Sequence, residues 1–169
     1  MDYSATTPVK EEVLKEMIPY FTEKFGNPSS LYDKGLETKA SVTHAREQVA
    51  ALINANPREV FFTAGGTEAD NWALFGACDN LQEKGNHIIT TKVEHHAILH
   101  SCQFLEKHGF DVTYVGIDKD GMVNLQELED AITDKTILIS VMMVNNEIGT
   151  VQPIKEIAKI AKAHKILFH

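Results

Sequence analysis

The chain has 169 residues, 43% of them hydrophobic and 24% charged, with a formal net charge of -8, which is the make-up of an ordinary globular domain rather than of a disordered chain. The acidic balance disfavours nucleic acid and anionic membranes as partners, no apolar run is long enough to span a bilayer, and residues 1–13 lack the basic and apolar regions of a secretory signal. Cys78 and Cys102 form neither a CxxC pair nor a zinc-ligand spacing, so the expectation is buried, reduced thiols in a cytoplasmic protein.

Apolar residues at Val9, Val13, Leu14, Met17, Ile18 and Phe21 have helical spacing, and Pro19 should kink or divide the helix they predict over 9–25. The sequence FGNPSS at 25–30 is a loop on its turn chemistry. A second helix is predicted over 36–53, with Ala40, Val42, Ala45, Val49 and Leu52 on its apolar side, ended by the sequence NANP at 54–57. From there strands and helices alternate. A short apolar run at 59–63 predicts a strand, 67–83 a helix, 87–91 a strand and 96–108 a helix that ends near Gly109. Residues 111–115 predict another strand. Asn124 and Glu127 fit a capping box for a helix ending near Ile132. Residues 136–141 read as a buried strand, Pro153 opens a helix ending near His164, and 166–168 begin one more strand. The alternation predicts an α/β fold, a mostly parallel sheet covered by helices on both faces, preceded by an N-terminal helical arm. The expected division is a helical segment at 1–55 and, at 56–169, the first part of an α/β domain. A strand with no helix after it is an unusual domain end, so the sequence is expected to be a fragment or one chain of a split protein.

Three polar clusters fall at the expected carboxyl ends of strands, where ligands of open α/β sheets collect. The first is FTAGGTEADN at 62–71. Gly65 and Gly66 allow close approach of backbone to a ligand, and a helix start with the Thr67 hydroxyl favours a phosphate. An ordinary tight turn with Thr67 as helix cap reads the same residues equally well. No GKS or GKT follows, so this is not a P-loop, and the GxGxxG dinucleotide fingerprint is absent. The second cluster is VEHHA at 93–97, where His95 can stack on a planar ring or move protons near neutral pH. A metal reading of Glu94, His95 and His96 is rejected, because adjacent residues rarely converge on one ion and HExxH is absent. The third is MVNNEIG at 143–149, in which Asn146 can donate a hydrogen bond to a ring hydroxyl or a carboxylate.

Taken in order and at their separations, SATTP at 4–8, FGNPSS at 25–30, FTAGGTEADN at 62–71, Glu94-His95 and VNNEIG at 144–149 resemble the cysteine desulfurases. These lie within the class V aminotransferase group of fold-type I pyridoxal-phosphate enzymes. The resemblance runs from Asp2 to His169 and implies the large domain of that fold, truncated. It implies pyridoxal 5'-phosphate as cofactor, with Gly66 and Thr67 at the phosphate, His95 stacked on the pyridine ring as a catalytic proton shuttle, and Asn146 near the ring's 3-hydroxyl. Ala5, Thr6 and Asn27 would lie close to substrate, together with Asn146. The implied reaction turns L-cysteine into L-alanine and leaves sulfur on an enzyme cysteine as a persulfide, for iron-sulfur cluster or thio-cofactor assembly. A homodimer and a sulfur-acceptor or scaffold protein are the implied partners.

The resemblance also implies parts that these 169 residues do not contain: an Asp in a TDAxQ-like motif that pairs with the pyridine nitrogen, a lysine in an SGHK-like motif, and a mobile loop with the nucleophilic cysteine. Cys78, Cys102 and Lys92 match none of them. The chain alone is therefore expected to be inactive. After Ser30 it reads LYDK, where members of the family often carry a histidine. A selenocysteine lyase or another class V enzyme, and an inert structural or interaction fragment, are the competing readings.

Overall fold

The computed structural model describes residues 2–169, which divide into two compact units, one up to Phe62 and the other Thr63–His169. The first unit holds α1 (Glu11–Met17), α2 (Pro19–Thr22), α3 (Asp33–Leu52) and a short 3-10 turn, Pro57–Glu59. Pro19 does divide the first helical pattern. It stands at the first position of α2, where its missing N–H costs nothing. The FGNPSS loop packs backbone to backbone against the start of α3. A Cβ added at Gly35 would lie 2.6 Å from the Ser30 carbonyl oxygen and 2.7 Å from that of Asn27, and one added at Gly26 would strike the Lys34 carbonyl. Asn54, with φ of 54°, ends α3 in the left-handed region, and Ala55 N–H reaches back to the Ala50 carbonyl at 2.9 Å.

The second unit is the α/β body. It contains α4 (Gly66–Leu81), β1 (His87–Thr91), α5 (His96–Glu106), β2 (Asp111–Val115), α6 (Leu125–Asp130), β3 (Thr136–Ser140), α7 (Ile154–Ala163) and β4 (Leu167–Phe168). The four strands form one sheet in the order β2-β1-β3-β4, and every pairing is parallel. β1 and β3 lie inside the sheet and are buried at every residue, as parallel strands covered on both faces must be. Successive residues then serve opposite faces. Ile88 and Leu138 pack with Leu74, Cys78, Ile98 and Cys102 under α4 and α5. Ile89 and Ile139 pack with Leu128, Ile157 and Ala161 under α6 and α7. Among the described residues no helix is long and apolar enough to cross a membrane.

Two expectations need correction. The run at 59–63 is not a strand. Asn56 caps the 3-10 turn before it, accepting from Arg58 N–H at 2.9 Å while its own N–H donates to Glu59 Oε2 at 2.7 Å. Val60 is extended, with φ of -99° and ψ of 124°, but among the described residues no strand lies beside it to complete a ladder. The capping box at α6 is half formed. Asn124 Oδ1 accepts from Glu127 N–H at 3.1 Å, whereas Glu127 Oε1 turns away to accept from Gly116 N–H at 3.0 Å.

Candidate functional site

The first turn of α4 carries Gly66 and Thr67. Gly65, the residue before it, is fully extended, with φ of 169° and ψ of 176°. A Cβ added at Gly65 or Gly66 would meet nothing within 4 Å, so the backbone here borders open space. That space is a concavity of about 560 Å³ lined by residues 64–68 and Asn71. The Ala69 N–H is the first to bond back along the helix, to the Gly65 carbonyl at 3.1 Å. The N–H groups of Gly66, Thr67 and Glu68 therefore form the open donor end of a 16-residue helix, the arrangement that binds anions. Glu68 is held toward the incoming loop, where its Oε2 accepts from Ala64 N–H at 2.6 Å.

His95 caps α5 at the carboxyl end of β1. Its Nδ1 accepts from Ala97 N–H at 3.1 Å, so a neutral ring carries its proton on Nε2 and offers a donor there. The backbone under His95 is fixed by two buried neighbours. Glu94, 6% exposed, accepts from the Thr91 hydroxyl at 2.8 Å and from Met142 N–H at 3.0 Å. Burial raises the Glu94 carboxyl above its ordinary range. The Asp70 charge adds to that rise, while the two hydrogen bonds oppose it. Asn145, also 6% exposed, donates from Nδ2 to the Val93 carbonyl at 2.9 Å, and its Oδ1 accepts from Glu147 N–H at 2.9 Å and Ile148 N–H at 3.0 Å. The loop after β1 and the loop after β3 are thus braced as one piece. Asn146 is carried on the second loop, exposed, with its Nδ2 3.2 Å from Glu147 Oε1.

A cavity of about 380 Å³ opens between these loops, lined by Asp70, Glu94, His95, Ser140, His169 and apolar neighbours that include Met142. It meets α4 at Asp70, one turn beyond Gly66. Gly66 and Thr67 line the separate concavity described above, and Asn146 lines neither. A larger cavity of about 640 Å³ lies at the opposite end of the sheet, by the amino ends of β3 and β4, with Lys84, Lys162 and Lys165 in its wall. Ala5, Thr6 and Asn27 belong to the first unit. Ala5 and Thr6 are exposed and outside regular structure, and Asn27 Oδ1 accepts from Ser29 N–H at 2.9 Å. Cys78 and Cys102 are free and buried. Burial pushes their thiols up to about 11 and about 12, so neither is a thiolate nucleophile near neutrality.

The whole chain, residues 1–169, matches the family Aminotransferase class-V. The chain belongs to the class V aminotransferases. It is 60% identical over its full length to the cysteine desulfurase IscS of Clostridium botulinum (strain Kyoto / Type A2), of which it covers 43%. It is 56% identical to the cysteine desulfurase IscS of Methanosarcina thermophila, covering 42% of that protein. Among solved structures, a NifS-like protein superposes with a TM-score of 0.96 at 40% identity, over 99% of this chain and 47% of that one. A second, SspA in complex with cysteine, gives 0.95 at 41% identity, over 99% of this chain and 48% of that one. This class V aminotransferase chain therefore spans less than half the length of the relatives it matches.

Four residues of the cavity wall and its supporting loops are not among the candidates read from the sequence: Asp70, Glu94 in a bracing role, Asn145 and His169. The motifs at 62–71, 93–97 and 143–149 contain the first three, but nothing in those strings shows which side chain faces the ligand space and which is buried as a brace. In the structure one polar residue is buried and the next exposed, as in Glu94-His95 and Asn145-Asn146.

Proposed function

We propose that this chain holds the phosphate and one ring face of pyridoxal 5'-phosphate in a cysteine desulfurase. The observation that carries the reading is the open donor end of α4, where Gly65 and Gly66 leave space beside the backbone and Thr67 adds a hydroxyl. The residues fit a dianionic phosphate: three backbone N–H groups at a helix start border open space beside Gly65 and Gly66 that Thr67 also lines. His95 and Asn146 stand on loops locked together by Glu94 and Asn145, and a braced pair of loops is what a fixed ring requires. When bound, the cofactor supplies an electron sink for the carbon that bears the substrate's amino group. His95 holds or moves a proton at Nε2 while Nδ1 stays committed to Ala97 N–H. Asn146 orients a neighbouring oxygen through its amide.

The net change proposed is L-cysteine plus an enzyme thiol giving L-alanine plus an enzyme persulfide. The carbon–sulfur bond breaks, a sulfur–sulfur bond forms, and the thiol proton balances at carbon. The thiol is neither Cys78 nor Cys102, whose burial keeps them protonated. The names of the relatives and of the cysteine complex support this substrate. A sulfur-accepting protein, a cytoplasmic setting and a homodimer complete the proposal, and the exposed apolar residues of α1 and α2 support the last of these.

Trp72, the one tryptophan, lies on α4 five residues after Thr67 and reports on the cradle. Titration with pyridoxal 5'-phosphate is expected to quench its fluorescence at far lower concentration than titration with pyridoxal, which lacks the phosphate. Thr67→Ala should weaken the phosphate form about tenfold, the effect of one charge-assisted hydrogen bond, and leave pyridoxal unaffected. Equal binding of both compounds, or an unchanged Thr67→Ala variant, would overturn the assignment.

A further inference from the structure

A second imidazole lines the cavity that holds His95. His169 directly follows β4 and is fixed to β3 from both sides, with its N–H donating to the Ile139 carbonyl at 2.9 Å and its carbonyl accepting from Val141 N–H at 3.0 Å. Its Nδ1 is 2.9 Å from Ser140 Oγ, and Ser140 is 1% exposed. Its Nε2 is 3.8 Å from Asp70 Oδ1. Asp70 stands three and four residues after Thr67 and Gly66 on α4, so all three share a face of the helix. Asn71 ties the same stretch sideways to α5, with Oδ1 2.5 Å from Ser101 Oγ. The Asp70–His169–Ser140 chain ties it instead to the sheet.

We propose that His169, held between Ser140 and Asp70, is a positioning residue that sets the first turn of α4 against the carboxyl ends of β3 and β4. This deepens the phosphate reading of Gly66 and Thr67 and rests on it. The charged link exists when His169 is protonated. The groups facing the imidazole are Asp70 from α4, Glu94 and His95 from the loop after β1, and Ser140 from β3, with apolar Ile154 and Phe168 completing the wall. Two carboxylates and one imidazole make this wall acidic, while the cradle one turn away is a site for anions. His169 touches neither cofactor nor substrate in this scheme. It acts through the helix.

Two measurements test it. Imidazole resonances of His169, assigned by their loss in His169→Gln, are followed against pH in the wild type and in Asp70→Asn. The His169 resonances are expected to move in Asp70→Asn, and unmoved resonances would break the proposed pair. Pyridoxal 5'-phosphate is then titrated into wild type, each single variant and the double variant between pH 6 and 8. Each single variant should bind about threefold more weakly at pH 6, the size of a half-exposed ion pair. The double variant should bind no more weakly than either. Asp70→Asn, partly exposed, keeps the core intact should His169→Gln disturb it. Wild-type affinity in the variants would overturn the positioning role and leave the cofactor reading standing. Failure of the wild type to bind pyridoxal 5'-phosphate at all would overturn both.

Discussion

His87 begins β1 and is clasped across three strands, with Nδ1 2.7 Å from Thr136 Oγ1 and Nε2 2.9 Å from Thr113 Oγ1. Burial lowers its pKa from the ordinary value of 6.5, and the Asp111 charge opposes that shift. A histidine depressed in the folded state contributes stability that is complete above the unfolded pKa, because the unfolded chain takes up the proton first. Stability should therefore fall as pH drops below 6.5 toward the lowered folded value. His87→Ala should cost about 2 kcal/mol at pH 8, where two hydroxyls each lose a hydrogen bond, and should flatten the acid slope of the wild type. Chemical denaturation at a series of pH values reads both effects, and an unaltered slope would contradict them. At this scale the sequence exposes what local spacing can carry. Gly66, Thr67, His95 and Asn146 stand in strings whose turn and cap chemistry is local. Glu94 and Asn145 owe their roles to partners 48 and 52 residues away, and the His169–Asp70 pair spans the whole α/β unit. Periodicity carries no information about such partners.

Among the elements, the division of the first helix by Pro19 and the four strands of the sheet are legible because proline geometry and apolar runs act locally. The run at 59–63 has the same apolar, β-branched character yet forms no ladder, since a strand is defined by its neighbour and not by its own residues. Helical spacing of Val13, Leu14, Met17, Ile18 and Phe21 likewise predicts a covered face, but α1 and α2 bury no residue and these side chains are 42–73% exposed. A stripe of that size is costly to leave in water. We expect it to be covered in a homodimer. Light scattering across a concentration series should return twice the chain mass, and Phe21→Glu with Leu14→Glu should shift it to the monomer. A single-chain mass at every concentration would contradict the expectation.

For the molecule as a whole, the sheet explains why the polar clusters gather at one end. All four strands run the same way, so the loops after β1 and β3 and His169 after β4 meet at one end, beside the start of α4. Two apolar clusters on opposite faces hold those strand ends still, and the braces at Glu94 and Asn145 extend that rigidity into the loops. Fold class is thus readable from alternation, while the shape of the cavity depends on side chains that converge from four elements. The most direct measurement is a crystal structure of the protein with pyridoxal 5'-phosphate. It should show the phosphate within hydrogen-bonding distance of the Gly66 and Thr67 N–H groups and the Thr67 hydroxyl, with the ring against His95. A phosphate seated instead among Lys84, Lys162 and Lys165, at the opposite end of the sheet, would contradict the account.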